Sequence, residues 1–252
     1  MYSIYPNIMI ICIDVGNTRT KVAVYENGTF QHLILTSEDK LVKNISREIQ
    51  QTKEGTEIIL SSVGNLPDKT LKALEKLGKL TIISHKTSLP FDNLYATPNT
   101  LGIDRMVLVS GAVLKHPDQN RLIIDAGTCI TYDFINNQNQ YHGGAISPGI
   151  ALRYKSLNDY TANLPLEKIS ELHPFVGNTT SGSIQSGVLN GVIAEIEAFI
   201  EHFKHQDENL TVILTGGNSE FLVNRLKNSI FANPNFLLES LFLLHQHIVS
   251  ND

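Results

Sequence analysis

The chain has 252 residues, 42% hydrophobic and 18% charged, with a net charge of −5, which is apolar material for one large core or two of ordinary domain size. That balance offers no basic face for sequence-independent nucleic-acid binding, which depends on neutralising phosphates, and no apolar run approaches the roughly 20 residues of a membrane span. Two cysteines beside apolar, strand-like runs do not read as a disulfide scaffold or a thiolate metal site, so a reducing compartment, the cytoplasm, and small-molecule partners are expected.

Met9–Cys12 lead through Ile13 into Asp14 as an apolar strand, followed by a turn at Gly16, Asn17 and Thr18. Met1–Ile8 precede it and are expected to take no part in the fold. The segment KVAVYENGTFQHLIL holds two strand-like runs around Asn27-Gly28, a hairpin turn signal. A helix from about Asp39 to Gln51, the strand EIILSSV, a helical segment Asp68–Leu77, the strand KLTIIS and the helical LGIDRMVLVSGAVLKH follow.

The pattern then starts again. The run LIIDAGT repeats the strand, the acid, one small apolar residue and a glycine, so that Asp125 matches Asp14 and Gly127 matches Gly16. TYDFINNQNQYHGGAI again holds two strand-like runs, here around Asn136-Asn137. Helices are predicted at about Ile150–Asn158 and Ser181–His205, then the strand LTVILTGG and two further helical segments. The chain thus reads as α/β, with two similar domains over 1–118 and 119–252, joined near His116–Arg121. A cleft between related halves is where a small ligand is expected.

An acid ending a buried strand is costly as a charge unless a cation meets it. With Gly16 or Gly127 just after it, the backbone can aim amides at an anion while the carboxylate faces a hard cation, an arrangement suited to a polyphosphate with its metal. A single Asp-x-Gly is commonly only a turn; two copies in matching settings favour the chemical reading. Lys21 could reach back to a phosphate or be an ordinary edge lysine. No P-loop or dinucleotide fingerprint occurs. In YATPNTLGIDRMVLVSGA, Asn99 or Thr100 is predicted to cap a helix with Asp104 and Arg105 near its first turn. Asp104 is there either a complement to the helix dipole or a general base beside an anion-binding arginine. GGAISPG (143–149) and LTGGN (214–218) are glycine-rich loops, each readable as a plain turn or as a close approach to a ligand. The helix from Ser181 carries Ile184, Val188, Val192, Ile196, Ile200 and Phe203 as a core stripe, and Ser183, Gly187 and Gly191 as a small-residue face that could pack on another helix. The histidines form no zinc motif.

Together D-x-G-N-T-x-x-K at Asp14–Lys21, G-x-D-R at Gly102–Arg105, D-A-G-T at Asp125–Thr128, G-G-x-I-x-P-G at Gly143–Gly149 and G-G-N at Gly216–Asn218 resemble the type III pantothenate kinases, nearly end to end. These belong to the superfamily of acetate and sugar kinases, heat-shock ATPases and actin. The resemblance implies two RNase H-like (actin-like ATPase) domains with a central cleft, and phosphorylation of pantothenate by ATP, the first step of coenzyme A biosynthesis. It implies ATP binding by Asp14, Val15, Gly16, Asn17, Thr18, Arg19, Thr20 and Lys21, with Asp14 facing the nucleotide's Mg²⁺ and Thr128 touching phosphate. Asp125 would hold a monovalent cation, K⁺ or NH₄⁺. Asp104 would accept the pantothenate hydroxyl proton, with Tyr95, Gly102, Ile103, Arg105 and Thr180 lining the substrate site. Thr179 competes with Thr180, a residue often supplied by a partner subunit, so a homodimer is implied. The family's early first strand makes Met9 the expected functional start. A hydrolase or sugar kinase of the superfamily would share the aspartate turns but not the G-x-D-R and G-G-x-I-x-P-G pair; relatives acting as transcription accessory factors are the non-enzymatic alternative.

Overall fold

The computed structural model describes residues 8–16, 19–50, 55–62, 64, 66–170, 175–207, 209–228 and 230–251. It contains two compact units, one built from residues 1–115 with 235–252 and the other from 116–234.

In the first unit, β1 (Met9–Val15), β2 (Thr20–Glu26) and β3 (Thr29–Thr36) form an antiparallel meander. Its tight turn places Asn27 and Gly28 at φ 52 and 78, the left-handed pair that a two-residue hairpin needs. α1 (Glu38–Ile49), β4 (Thr56–Ser62), α2 (Asp68–Glu75) and β5 (Lys79–Ile82) follow, with β4 parallel to β1 and β5 parallel to β4. The sheet order is β3-β2-β1-β4-β5. A two-residue strand, β6 (Asp92–Asn93), and a 3₁₀ turn at Pro98–Thr100 lead to α3 (Ile103–Lys115).

Alternation along β1 sorts its side chains between two cores. Met9, Ile11 and Ile13 pack with Leu41 and Ile45 of α1 and Leu74 of α2. Ile10 and Cys12 pack with Val107 of α3 and with Leu238, Leu241 and Leu244 of the last helix. Each fully buried aliphatic side chain contributes about 1.5–3 kcal/mol. Asp14 is the next residue on the α3 side.

In the second unit, β7 (Arg121–Ala126), β8 (Cys129–Ile135) and β9 (Gln140–Pro148) form another antiparallel meander. α4 (Ile150–Asp159), α5 (Thr180–Lys204), β10 (Thr211–Thr215), the short α6 (Ser219–Val223) and β11 (Phe231–Ala232) complete it. β10 runs parallel to β7 and β11 to β10, so the sheet repeats the first unit's order as β9-β8-β7-β10-β11. Leu122, Ile124 and Ala126 join Tyr154 of α4 and the stripe Ile184, Val188, Val192, Ile196 and Ile200 of α5. Asp125 falls on the opposite face. Arg121, fully buried, donates to the carbonyls of His116 and Asn136 and to Asn139 Oδ1, tying the start of β7 to the β8–β9 turn.

Four expectations need correction. The chain does not divide once near residue 118: α7 (Phe236–Asn251) packs on the first unit, where Phe242 stacks on Tyr25 at 4.0 Å, because its apolar face matches the α3 side of that sheet. Ile8 is not outside the fold, since it packs against that same core and its carbonyl accepts from Asn27 N; Met1–Asn7 lie outside the described residues. Asn99 and Thr100 do not cap α3; they sit in the 3₁₀ turn ahead of it, where Thr100 Oγ1 bonds back to Thr97. The β8–β9 turn is wider than Asn136-Asn137, with the left-handed residue at Asn139. Among the described residues, no helix is long and apolar enough to cross a membrane.

His245 of α7 is buried with Nε2 2.7 Å from Glu57 Oε2, and burial, with the charge of Lys79, lowers its pKa to about 4. The unfolded chain takes up this proton near 6.5, so stability falls as pH drops from there towards 4, by up to about 1.4 kcal/mol per pH unit. His245→Gln should flatten that limb in urea titrations across this range; an unchanged slope would clear His245 as the cause.

Candidate active site

In the first unit the strand pairing does the assembly. Asp14 stands opposite Lys21 across β1 and β2, and Val15 opposite Thr20. Between them the turn is closed by Gly16 N donating to the carbonyl of Arg19. Thr20 is buried, Val15 and Gly16 partly so, and Arg19 exposed; Asn17 and Thr18 lie outside the described residues. A pocket of about 570 Å³ opens beside this turn, with Arg19, Thr20 and Lys40 in its wall.

Burial raises the Asp14 carboxyl to about 7; Lys21 opposes that shift and the charge of Asp104 adds to it. Asp104 therefore lies close enough to be felt by Asp14, as expected from Asp14 facing α3 and Asp104 being the second residue of that helix. Asp104 Oδ1 accepts from the Arg105 amide at 2.9 Å, and Gly102 O accepts from Met106 N as the helix begins. Arg105 is buried, its guanidinium 5.8 Å from the centre of the Tyr95 ring, and Ile103 packs inward on the α3 core. The first unit thus brings Asp14, Lys21 and Asp104 into one electrostatic neighbourhood, with Tyr95 beside Arg105.

In the second unit, Asp125 is the next-to-last residue of β7, and the turn after the strand closes through Gly127 N to Cys129 O, leaving Thr128 exposed. Two glycine corners press on it, Gly216 after β10 and Gly149 between β9 and α4; residues 143–148 of the expected glycine-rich loop belong instead to β9, paired with β8. Gly216 has φ 91, and a Cβ there would come 2.3 Å from Asp125 Oδ1, so both the conformation and the approach require glycine. Gly149 donates to Thr128 O, and a Cβ on it would meet the carbonyls of Gly127 and Thr128 at 2.3 and 2.5 Å. Asn218 N donates to Ala126 O.

The neighbouring threonines differ. Thr179 is the N-cap of α5, its Oγ1 accepting from Gly182 N at 2.9 Å, whereas Thr180 is the first helical residue and exposed. Both line a cavity of about 1040 Å³ with Arg153, Leu157 and Ile184. Sequence reading missed a polar network at the corner between β9 and α4, in which Glu195 of α5 meets Tyr132, Ser147 and Arg153. Glu195 lies 42 and 48 residues from Arg153 and Ser147, so no local pattern could have linked them.

The sequence profile of the type III pantothenate kinases matches residues 10–202. The type III pantothenate kinase of Flavobacterium johnsoniae is 47% identical over 244 residues, covering 97% of this chain and 100% of its own. Among solved structures, a Campylobacter jejuni protein assigned to the Baf family of transcriptional activators aligns at TM-score 0.62 and 21% identity, covering 95% of this chain and 99% of that one. The apo ParM protein of psk41 aligns at TM-score 0.52 and 9% identity, covering 97% and 98%. At these identities the structural likeness is one of fold, the twice-repeated sheet of actin-like ATPases.

Because the folded Asp14 carboxyl titrates near 7 and the ordinary one near 3.8, the unfolded chain ionises first and the fold loses stability as pH rises between those values. Asp14→Asn removes that cost. Thermal denaturation of the ligand-free protein should give the variant a higher Tm by several degrees at pH 8 and a smaller gain at pH 5. The same Tm as the parent at both pH values would refute the desolvation of this carboxyl.

Proposed function

Since the chain belongs to the type III pantothenate kinase family and phosphorylates pantothenate with ATP in coenzyme A biosynthesis, we propose that Asp104 is the proton acceptor for the pantothenate hydroxyl and that Asp14–Lys21 bind the nucleotide phosphates. The observation that carries this reading is the convergence of Asp14, Lys21 and Asp104 in one unit. A carboxylate at the first turn of α3, held by the Arg105 amide, is oriented before substrate arrives.

Asp14 fits Mg²⁺: it is a single carboxylate whose charge is penalised by burial, and an ion shared with nucleotide phosphates relieves that penalty. When bound, that ion would neutralise charge on the transferring phosphoryl group. Lys21 would bring a second positive charge to the phosphates, and Val15, Gly16, Asn17, Thr18, Arg19 and Thr20 would surround them. Arg105, lying over the Tyr95 ring, would hold the substrate's carboxylate, with Gly102 and Ile103 shaping the same wall. These groups align the hydroxyl and γ-phosphoryl, and alignment with charge neutralisation is most of what phosphoryl transfer needs.

Asp125 and the carbonyl-rich turn after it fit a monovalent cation, K⁺ or NH₄⁺, because carboxylate and carbonyl oxygens replace such an ion's water. Thr128, exposed at the end of that turn, would touch phosphate. Thr180 is the substrate threonine, since the Thr179 hydroxyl is committed to capping α5. The chain works as a homodimer: Tyr160, Phe175 and Val176 are 88%, 81% and 77% exposed, and Gly187 and Gly191 present a bare face on α5. The enzyme acts in the cytoplasm, where Cys12 and Cys129 stay thiols.

Asp104→Asn should keep ATP binding and lose about 10²–10⁴-fold in turnover, with product identified by mass; near-parental turnover would remove Asp104 as the base. Product formation should require K⁺ or NH₄⁺ over Na⁺, and Asp125→Asn should abolish that preference. Light scattering at micromolar concentration should give twice the chain mass; a monomer would count against a shared site.

A further inference from the structure

We propose that Glu195 is a positioning residue that holds the Ser147–Gly149 corner against the Asp125–Thr128 turn and thereby sets the turn's affinity for nucleotide and monovalent cation. The inference rests on the reading of that turn given above. Glu195 Oε1 accepts from Tyr132 Oη at 2.8 Å and from Ser147 Oγ, and Oε2 accepts from Arg153 at 2.6 Å. The same guanidinium donates through Nε to Pro148 O at 2.7 Å and reaches Ser147 Oγ at 3.1 Å. Glu195 thus holds Ser147 directly and Pro148 through Arg153, beside the pairing of these two residues with Ile130 and Cys129 of β8. The next residue, Gly149, donates to Thr128 O and leaves no room for a Cβ against the carbonyls of Gly127 and Thr128. Gly149 also starts α4, with its carbonyl accepting from Arg153 N, so the arginine is anchored on the corner that it holds.

Burial opposes ionisation of Glu195, but hydrogen bonds from Ser147, Arg153 and Tyr132 outweigh it and hold the carboxyl below its usual range. The carboxylate is therefore charged at neutral pH, and its bonds are charge-assisted. A plain strut would need no such charge, because Ile196 and Ile200 already fasten α5 to its core. A displaced Gly149 would press directly on the carbonyls that follow Asp125. Partners at this remove typically change metal affinity or activity by about 10–100-fold when removed.

The test uses the full-length protein with Glu195→Ala and Glu195→Gln, the latter retaining an acceptor for Tyr132 and Ser147 but not the charge on Arg153. The expected result is a rise of about tenfold in both KM for ATP and the K⁺ concentration for half-maximal rate in Glu195→Ala, with a smaller rise in Glu195→Gln. Hydrogen exchange on the ligand-free protein should show faster exchange at Gly149 while β10 amides keep parental protection. ATP and K⁺ dependence within twofold of the parent in a folded variant would overturn the proposal, as would faster exchange spread equally over β10. If Glu195→Ala does not fold, the Gln variant carries the same comparison. Asp125→Asn and Thr128→Ala separate the two levels: if they leave both dependences unchanged, the reading of the turn has failed, and if they alter them while the Glu195 variants do not, the positioning role has failed.

Discussion

A carboxylate held at the end of a buried strand, on the face away from that strand's first helix pair, is the constraint around which each unit is arranged. Period-two alternation assigns Met9, Ile11 and Ile13 to the α1 and α2 core, which puts Asp14 with Ile10 and Cys12 on the side of α3 and α7. There its charge is penalised by burial and only partly relieved by Lys21 across the strand pair. A fold optimised for stability alone would place an apolar or neutral residue there; a stability cost retained at one position is characteristic of a functional site.

The same order of strands is laid down twice, yet the two copies serve their aspartates differently. In the first unit the neighbour is a helix start bearing Asp104, a second acid close enough to disfavour ionisation of the first. In the second unit glycine backbone closes in, Gly216 on the Asp125 carboxylate and Gly149 on the turn after it. Acids beside a cationic side chain suit phosphate and proton chemistry, whereas an acid among carbonyls suits a bare cation. Divergence within the repeat is thus consistent with the division of labour proposed for the two turns.

Much of this was legible in the chain. Both meanders follow from alternating runs around Asn-rich turns, and the α5 core stripe from its i, i+4 spacing, because these depend on local periodicity that sequence displays directly. Period two, applied to Met9–Asp14, also predicts which face Asp14 takes. Three features were not legible. The attachment of α7 to the first unit depends on matching an apolar face to a distant sheet, and nothing at Pro234 or Asn235 signals the crossing. The start of α3 at Ile103 rather than after Thr100 depends on Thr100 preferring Thr97 as a partner. The Glu195 network joins β8, β9, α4 and α5, and an acid in a helix with glutamates nearby reads as a solvated face until tertiary structure brings Arg153 to it.

α5 shows why one helix must be so long. Its 25 residues expose the cap at Thr179 and Thr180 at one end and reach Lys204 at the other. Ile184 to Ile200 bind it to the sheet, and Gly187, Gly191 and Glu195 follow one another at four-residue spacing along the row beside that stripe. A helix turns 100° per residue, so a stripe that fastens the core also fixes the direction of every side chain beside it. The rigidity conferred by the core is what lets Glu195 act at a defined distance from the Gly149 corner. The same rigidity carries Thr180 on the end of a fixed rod, where a short, frayed helix would leave its position undefined.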